Sequence, residues 1–159
     1  MIDIRKAEAK DVPLILEFIQ GLADYERLHD SCIATEEKLR ETLFSTNPAA
    51  EVIIARSDGE PMGFALFFHN YSTFLAQRGI YLEDLFVKPD ARGKGIGFAL
   101  LSELARIAID RDCGRLEWAV LDWNDLAIDF YKRIGAVPMD EWTTFRMTGD
   151  RLADLARSR

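Results

Sequence analysis

Lys88-Pro89-Asp90-Ala91-Arg92-Gly93-Lys94-Gly95-Ile96-Gly97 is the stretch that decides the fold of this 159-residue chain. Before it, residues 79–87 read as a strand. After it, Leu100, Leu101, Leu104, Ile107 and Ala108 recur at helical spacing to about residue 112. A glycine-rich step from a strand into a helix is a place to hold an anion. Without a Cβ, backbone amides approach a phosphate closely, and the helix start adds its positive end. Arg92 and Lys94 add mobile positive charge. A turn that merely packs the helix on the sheet needs neither cation. An ATP-type P-loop requires a glycine at 88 and Ser or Thr at 95, where this chain has Lys88 and Gly95. A dinucleotide fingerprint counted from Gly93 requires a third glycine at 98, where Phe98 stands.

Working outward, residues 2–6 alternate as a first strand. A helix is expected from about Asp11, with Pro13 in its first turn and Val12, Ile15, Leu16, Ile19, Leu22 and Ala23 as its apolar stripe. Thr35 caps a second helix over 36–44. Strands are expected at 51–56 and 62–69, joined by an Asp58-Gly59 hairpin turn. Beyond the long helix come a strand at 115–121, a helix at 126–134 stopped by Gly135, a last strand at 142–147 and a terminal helix from about 150. The order β-α-α-β-β-β-α-β-α-β belongs to the α/β class. No repeat, low-complexity tract or long linker divides the chain, so residues 1–159 are expected to form a single domain.

Hydrophobic residues make up 48% and charged residues 30%, the balance of a globular domain rather than a disordered one. Residues 1–5 lack the basic region and apolar block of a signal peptide, and no apolar run has membrane-spanning length. The expected location is therefore the cytoplasm, with no membrane partner. A net charge of −7 with scattered basic residues argues against a nucleic-acid partner and suits a cationic substrate drawn to an acidic cleft. Cys32 and Cys113 have no Cys or His at metal spacing, so no metal is expected. His29 and His69 both read as isolated. With no His or carboxylate partner evident, Cys113 reads as a poor nucleophile.

Arg92, Gly95 and Gly97 occupy the defining positions of the Arg/Gln-x-x-Gly-x-Gly/Ala motif of GNAT N-acetyltransferases, which the segment resembles. A second cluster, Asn124 through Ala136, is similar to the N-x-x-A/S-x-x-F/Y-Y-x-x-x-G pattern of the same superfamily. Leu22-Ala23-Asp24-Tyr25-Glu26, 81–87 and 123–136 look like the diamine acetyltransferase branch, which includes spermidine/spermine and thialysine acetyltransferases. The resemblance runs from the first strand to about Gly135. It implies a single-domain GNAT fold, with a mixed, mostly antiparallel central sheet flanked by helices, and a homodimer.

The resemblance also implies acetyl-coenzyme A as cosubstrate. Leu85, Phe86 and Val87 would pair with its pantetheine arm, 92–98 (Arg92, Gly93, Lys94, Gly95, Ile96, Gly97 and Phe98) would bind its pyrophosphate, and Asn124 would hydrogen-bond the arm. Tyr131, near the cofactor sulfur, would be the general acid. Glu83 would remove a proton from the acceptor amine, and Tyr25, Glu26, Glu83 and Asp84 would contact the small basic amine. The chemistry needs such groups, because an ammonium must lose a proton before it attacks a thioester. Strand alternation puts Glu83 and Asp84 on opposite faces unless a bulge intervenes. The branch tends to continue acidic after Tyr25-Glu26, whereas this chain has Arg27, whose charge opposes a long polycation. Protein or peptide N-acetylation and non-catalytic acyl-CoA sensing remain as alternatives.

Overall fold

Four strands build an antiparallel meander. These are β1 (Ile2–Lys6), β2 (Glu51–Ser57), β3 (Glu60–Ser72) and β4 (Gln77–Val87). A computed structural model describes residues 1–159. Each strand of the meander pairs with the next, and β5 (Leu116–Trp118) joins β4 in parallel, giving the order β1-β2-β3-β4-β5. Asp58 and Gly59 link β2 to β3 with φ of 51° and 85°. Two successive positive φ values are what a hairpin turn matched to strand twist requires.

Two compact units make up the chain, Met1–Ala119 and Val120–Arg159. In the first, α1 (Val12–Tyr25) and α2 (Glu36–Leu43) share a core with one face of the sheet. Val12, Ile15 and Phe18 of α1 are fully buried there with Leu39, Leu43, Val52, Ile54, Phe64 and Phe86. Phe18, which the apolar stripe above omits, stacks on Phe64 at 5.3 Å and tilts against Phe86 at 6.1 Å. Burying an aromatic of this size is worth about 2–3 kcal/mol, so Phe18 is a main anchor of α1. Thr35 caps α2 by accepting from the Lys38 amide at 3.2 Å. Asp11 does not cap α1 with its side chain. Its carboxylate accepts from the Glu8 amide at 2.8 Å in the preceding turn. The crossover into β5 is α3 (Ile96–Asp110), which packs on the strands through Leu100, Leu101, Leu104 and Ala108.

One irregularity positions the site. Leu66 pairs with Asp84, but the next residue, Phe67, pairs with Leu82. Glu83 is therefore the extra residue of a β-bulge, the exception that the alternation expected for this strand left open. The bulge moves Asp84 onto the α1/α2 side with Phe86, while Leu82 two residues earlier stays on the other. It also ends the parallel ladder. The last β4–β5 pair is Leu82 with Trp118, so β5 is three residues long rather than the seven expected at 115–121.

In the second unit, α4 (Asp125–Arg133) is capped by Asn124, whose Oδ1 accepts from the Ala127 amide at 3.3 Å. Gly135 ends it with φ of 95°. The expected strand at 142–147 does not form, and α5 (Gly149–Ala156) follows a stretch without regular secondary structure. Its Trp, Thr and Phe residues favour a strand, but a strand needs a neighbour to take its backbone hydrogen bonds, and no ladder includes this segment. Leu66, Phe67 and Phe68 lie in β3, with Phe67 fully buried.

Close approach of α1 to β4 depends on Gly21. A Cβ there would lie 2.7 Å from the Phe86 ring, which is itself wedged against Phe18. Alanine gains about 1 kcal/mol of helix propensity, while overpacking a core costs about 1–3 kcal/mol. Gly21→Ala is therefore expected to lower stability by about 1 kcal/mol in urea denaturation. A more stable variant would show that α1 has room to move.

Candidate active site

Residues 83–87 of β4 have a strand neighbour on one edge only, because the ladder with β5 stops at Leu82. The Lys88 amide donates to Met62 O at 2.9 Å, so alternation turns the backbone groups of Leu85 and Val87 to the open edge. One is already engaged, since Arg92 Nε donates to Val87 O at 3.0 Å. Chain continuity then leads into the glycine loop. Gly93 and Gly95 have φ of 77° and 82°, and a Cβ on either would meet no atom within 4 Å. Gly95 is the N-cap of α3, and the intrahelical ladder begins with the Ala99 amide on Gly95 O. The amides of Ile96, Gly97 and Phe98 therefore have no intrahelical acceptor. An open surface, amides at a helix start and two cations suit a pyrophosphate.

On the α1/α2 side, a cleft of about 470 Å³ is lined by Ile19, Leu22, Ala23 and Glu26 of α1, by Leu28 and 31–34, by Lys38, Leu39 and Thr42 of α2, and by Asp84. Asp84 and Glu26 are its two carboxylates. Burial, reinforced by the charges of Glu83 and Glu26, pushes the Asp84 carboxyl up to about 6. Burial also raises Glu26. Glu83, the bulged residue, is exposed and does not line the cleft. Burial raises the nearby Tyr81 phenol, and the charges of Glu83 and Glu117 add to it. Tyr25 is not in the cleft lining either. Its ring carries the Arg92 guanidinium, 4.6 Å from the ring centroid. Composition and motifs had no means of revealing that pairing, since the two residues are distant in sequence.

Asn124 and Tyr131 belong to the second unit. There the Asn124 side-chain oxygen serves as the α4 cap, and the Tyr131 ring tilts against Phe130 at 5.7 Å.

Neither histidine is isolated. His29 Nδ1 is 2.6 Å from Asp24 Oδ1. His69 Nδ1 is 3.0 Å from Gly79 O, and a carbonyl accepts only, so Nδ1 carries the proton. Nε2 then accepts from Arg111 at 3.0 Å, and Arg111 also grips Glu51 with bonds of 2.6 and 2.9 Å. Cys113 Sγ stands 3.9 Å from His69 Nδ1, so the thiol does have a histidine partner. That nitrogen is already protonated and offers no base, and Cys113 remains without nucleophilic activation.

Residues 19–136 match the model of the acetyltransferase (GNAT) family. The chain belongs to the GNAT acetyltransferase family. It is 40% identical to a thialysine N-epsilon-acetyltransferase of Sus scrofa, over 96% of each chain. It is 34% identical to an L-ornithine N5-acetyltransferase of Arabidopsis thaliana, over 94% of this chain and 85% of that one. Among solved structures, an integron cassette protein from the mobile metagenome of V. cholerae superposes with a TM-score of 0.82 and 34% identity, over 99% of this chain and 98% of that one. This GNAT protein is an acyltransferase, an N-acetyltransferase of amines. No helix in it is long and apolar enough to cross a membrane.

The Asp84 carboxyl makes the stability of this acetyltransferase depend on pH. Its folded-state value of about 6 lies above the ordinary aspartate value, so the folded state holds the proton more tightly than the unfolded state. The contribution is full below about pH 4 and is lost as pH rises through about 6. Asp84→Asn removes the titration with little change of shape. Between pH 4 and 7 the wild type is expected to lose up to about 2 kcal/mol relative to the variant, read from urea midpoints at each pH. Parallel curves would remove Asp84 as the source.

Proposed function

We propose that this chain, residues 1–159 acting as one domain, transfers an acetyl group from acetyl-coenzyme A by direct attack to a primary amine of a small basic molecule, a diamine, polyamine or lysine-like amine. The observation that carries this reading is the placement on one strand, β4, of both halves of such a site. Asp84 faces the acidic cleft, and three residues later Val87 borders the open edge that leads into the anion-binding loop. Likeness to thialysine and ornithine acetyltransferases supports the acceptor class. Glu26 and Asp84 suit an ammonium group, and the apolar wall of Ile19, Leu22 and Leu39 suits its methylene chain.

Bound acetyl-coenzyme A supplies an activated acyl thioester. In this reading the open-edge backbones of Leu85 and Val87, with Asn124, hold its pantetheine arm, while 92–98 hold its pyrophosphate. Phe86, expected to join them, faces β3 with its backbone and the core with its ring. Glu83 takes the ammonium proton, directly or through water, and a backbone amide near Val87 donates to the developing oxyanion. Tyr131 protonates the departing thiolate. A second assignment, with Asp84 as proton acceptor, is favoured by its carboxyl value of about 6, close to working pH. Arg27 limits the length of polycation accepted. A cytoplasmic homodimer without nucleic-acid, membrane or metal partners completes the proposal. The exposed Trp142 and Phe145 are apolar surface that a second subunit would cover, and light scattering at micromolar concentration should give twice the chain mass.

Mass spectrometry of an amine panel incubated with acetyl-coenzyme A should give acetylated lysine-like amines or diamines ahead of peptides. Preference for peptide amines would shift the reading to protein acetylation. Tyr131→Phe should lower kcat by roughly two orders of magnitude, the scale of lost general-acid help, with coenzyme affinity retained. Near-normal turnover would make Tyr131 a packing residue. Whichever of Glu83→Gln and Asp84→Asn removes the base should show a defect that shrinks as pH rises and free amine accumulates. A pH-independent loss would mark a residue that only positions the amine.

A further inference from the structure

Arg92 is held in one orientation by groups that leave its anion-binding edge free. Nε is spent on Val87 O at 3.0 Å. The guanidinium carbon lies 4.6 Å from the Tyr25 ring centroid and 5.7 Å from that of Phe86. Its two terminal nitrogens have no acceptor in the chain. A guanidinium stacked on an aromatic face keeps its in-plane N–H groups available, which is the geometry for bidentate contact with a phosphate. The backbone that carries Tyr25 is itself fixed. The end of α1 is closed by the Arg27 amide on Asp24 O at 3.1 Å and the Leu28 amide on Ala23 O at 2.8 Å, with Arg27 in the left-handed region at φ 61°. That is the hydrogen-bond pattern of a Schellman cap. Phe86 is buried in the core and is a rigid second support, while the Tyr25 ring is 38% exposed.

We infer that Tyr25 is a positioning residue for the cosubstrate, which holds the Arg92 guanidinium ready for the pyrophosphate of coenzyme A. An arginine free in solvent loses rotamer freedom when it clamps an anion. One already stacked and tethered through Nε has lost most of it before the ligand arrives. The same arrangement ties the two halves of the site together. Tyr25 is the residue next to Glu26, so the helix end that presents a carboxylate to the amine cleft also sets the cation for the donor. This inference rests on the reading of 92–98 as the pyrophosphate site.

The test compares Tyr25→Leu and Tyr25→Phe with wild type by calorimetric titration with coenzyme A, without amine. Loss of the aromatic face should weaken coenzyme A about 3- to 30-fold, and phenylalanine should restore it to within about twofold. Acetylpantetheine, which lacks the pyrophosphate, provides the second readout. At a fixed amine, the ratio of kcat/KM for acetyl-coenzyme A to that for acetylpantetheine should fall by the same factor in Tyr25→Leu, because any effect on the amine cancels. In an Arg92→Met background, Tyr25→Leu should weaken coenzyme A no further. Unchanged affinity in Tyr25→Leu, an unchanged donor ratio, or an additive loss in the double variant would each overturn the inference while leaving the cofactor reading intact. Wild type that binds no coenzyme A would overturn both. Thermal melts of each variant separate these outcomes from a failure to fold.

Discussion

A strand paired on both edges has no backbone to offer a ligand, and one that alternates regularly keeps every second side chain, here Leu82 and Asp84, on the same face. The bulge at Glu83 removes both restrictions at once. It ends the parallel ladder after Leu82, which leaves residues 83–87 with β3 alone. It also shifts the strand's phase, so that Asp84 and Phe86 face the α1/α2 side. Both halves of the first unit's site depend on this. The cleft has two carboxylates because Asp84 lines it with Glu26, and the glycine loop follows an open strand edge because β5 has already ended.

The electrostatics follow from the same geometry. Asp84 and Glu26 lie on the cleft side, while Arg92, Lys94 and the start of α3 form the positive end of the loop. Direct pairing of these groups would neutralise both, because opposite charges at hydrogen-bond distance in a partly buried site attract strongly. Arg92 is kept from that outcome by what it touches. It bonds a carbonyl and lies against the rings of Tyr25 and Phe86, and it forms no ion pair. Lys88 is drawn instead to Glu17 on α1, at 3.7 Å. Aromatic rings and a backbone oxygen thus hold a cation in place without cancelling its charge.

Much of this was legible in the sequence because it is local. Pro13, Thr35, Asp58-Gly59 and Gly135 act within a few residues of themselves, and the helices and hairpin they announce lie where expected. The glycine loop was legible for the same reason, since its chemistry resides in consecutive amides. What escaped the sequence depends on residues distant along the chain. The bulge is a mismatch between β3 and β4, invisible in either strand alone. His69, Arg111, Glu51 and Cys113 meet only because β2, β3 and the end of α3 converge, so reading each by its neighbours made two of them seem solitary. Tyr25 was given to the amine, with Glu26, by the family resemblance; helix geometry turns adjacent residues about 100° apart, and the Tyr25 ring carries the Arg92 guanidinium, a contact no local reading reveals.

The segment 142–147 marks the limit of propensity as evidence. Trp142, Thr143, Thr144 and Phe145 are residue types that sheets favour, yet β-propensity measures fit to a pleated, half-buried surface, and no such surface pairs with them in a single chain. The same argument explains why β5 is short, for its composition beyond Trp118 does not change, whereas its partner does. At position 83 the neighbouring strand bulges, and the ladder stops although the β-formers Val120 and Leu121 lie ahead. In both places the extent of a strand is decided by its neighbour. The open edge of β4 is thus the consequence of one extra residue in β4 itself rather than of any strand-breaking residue in β5.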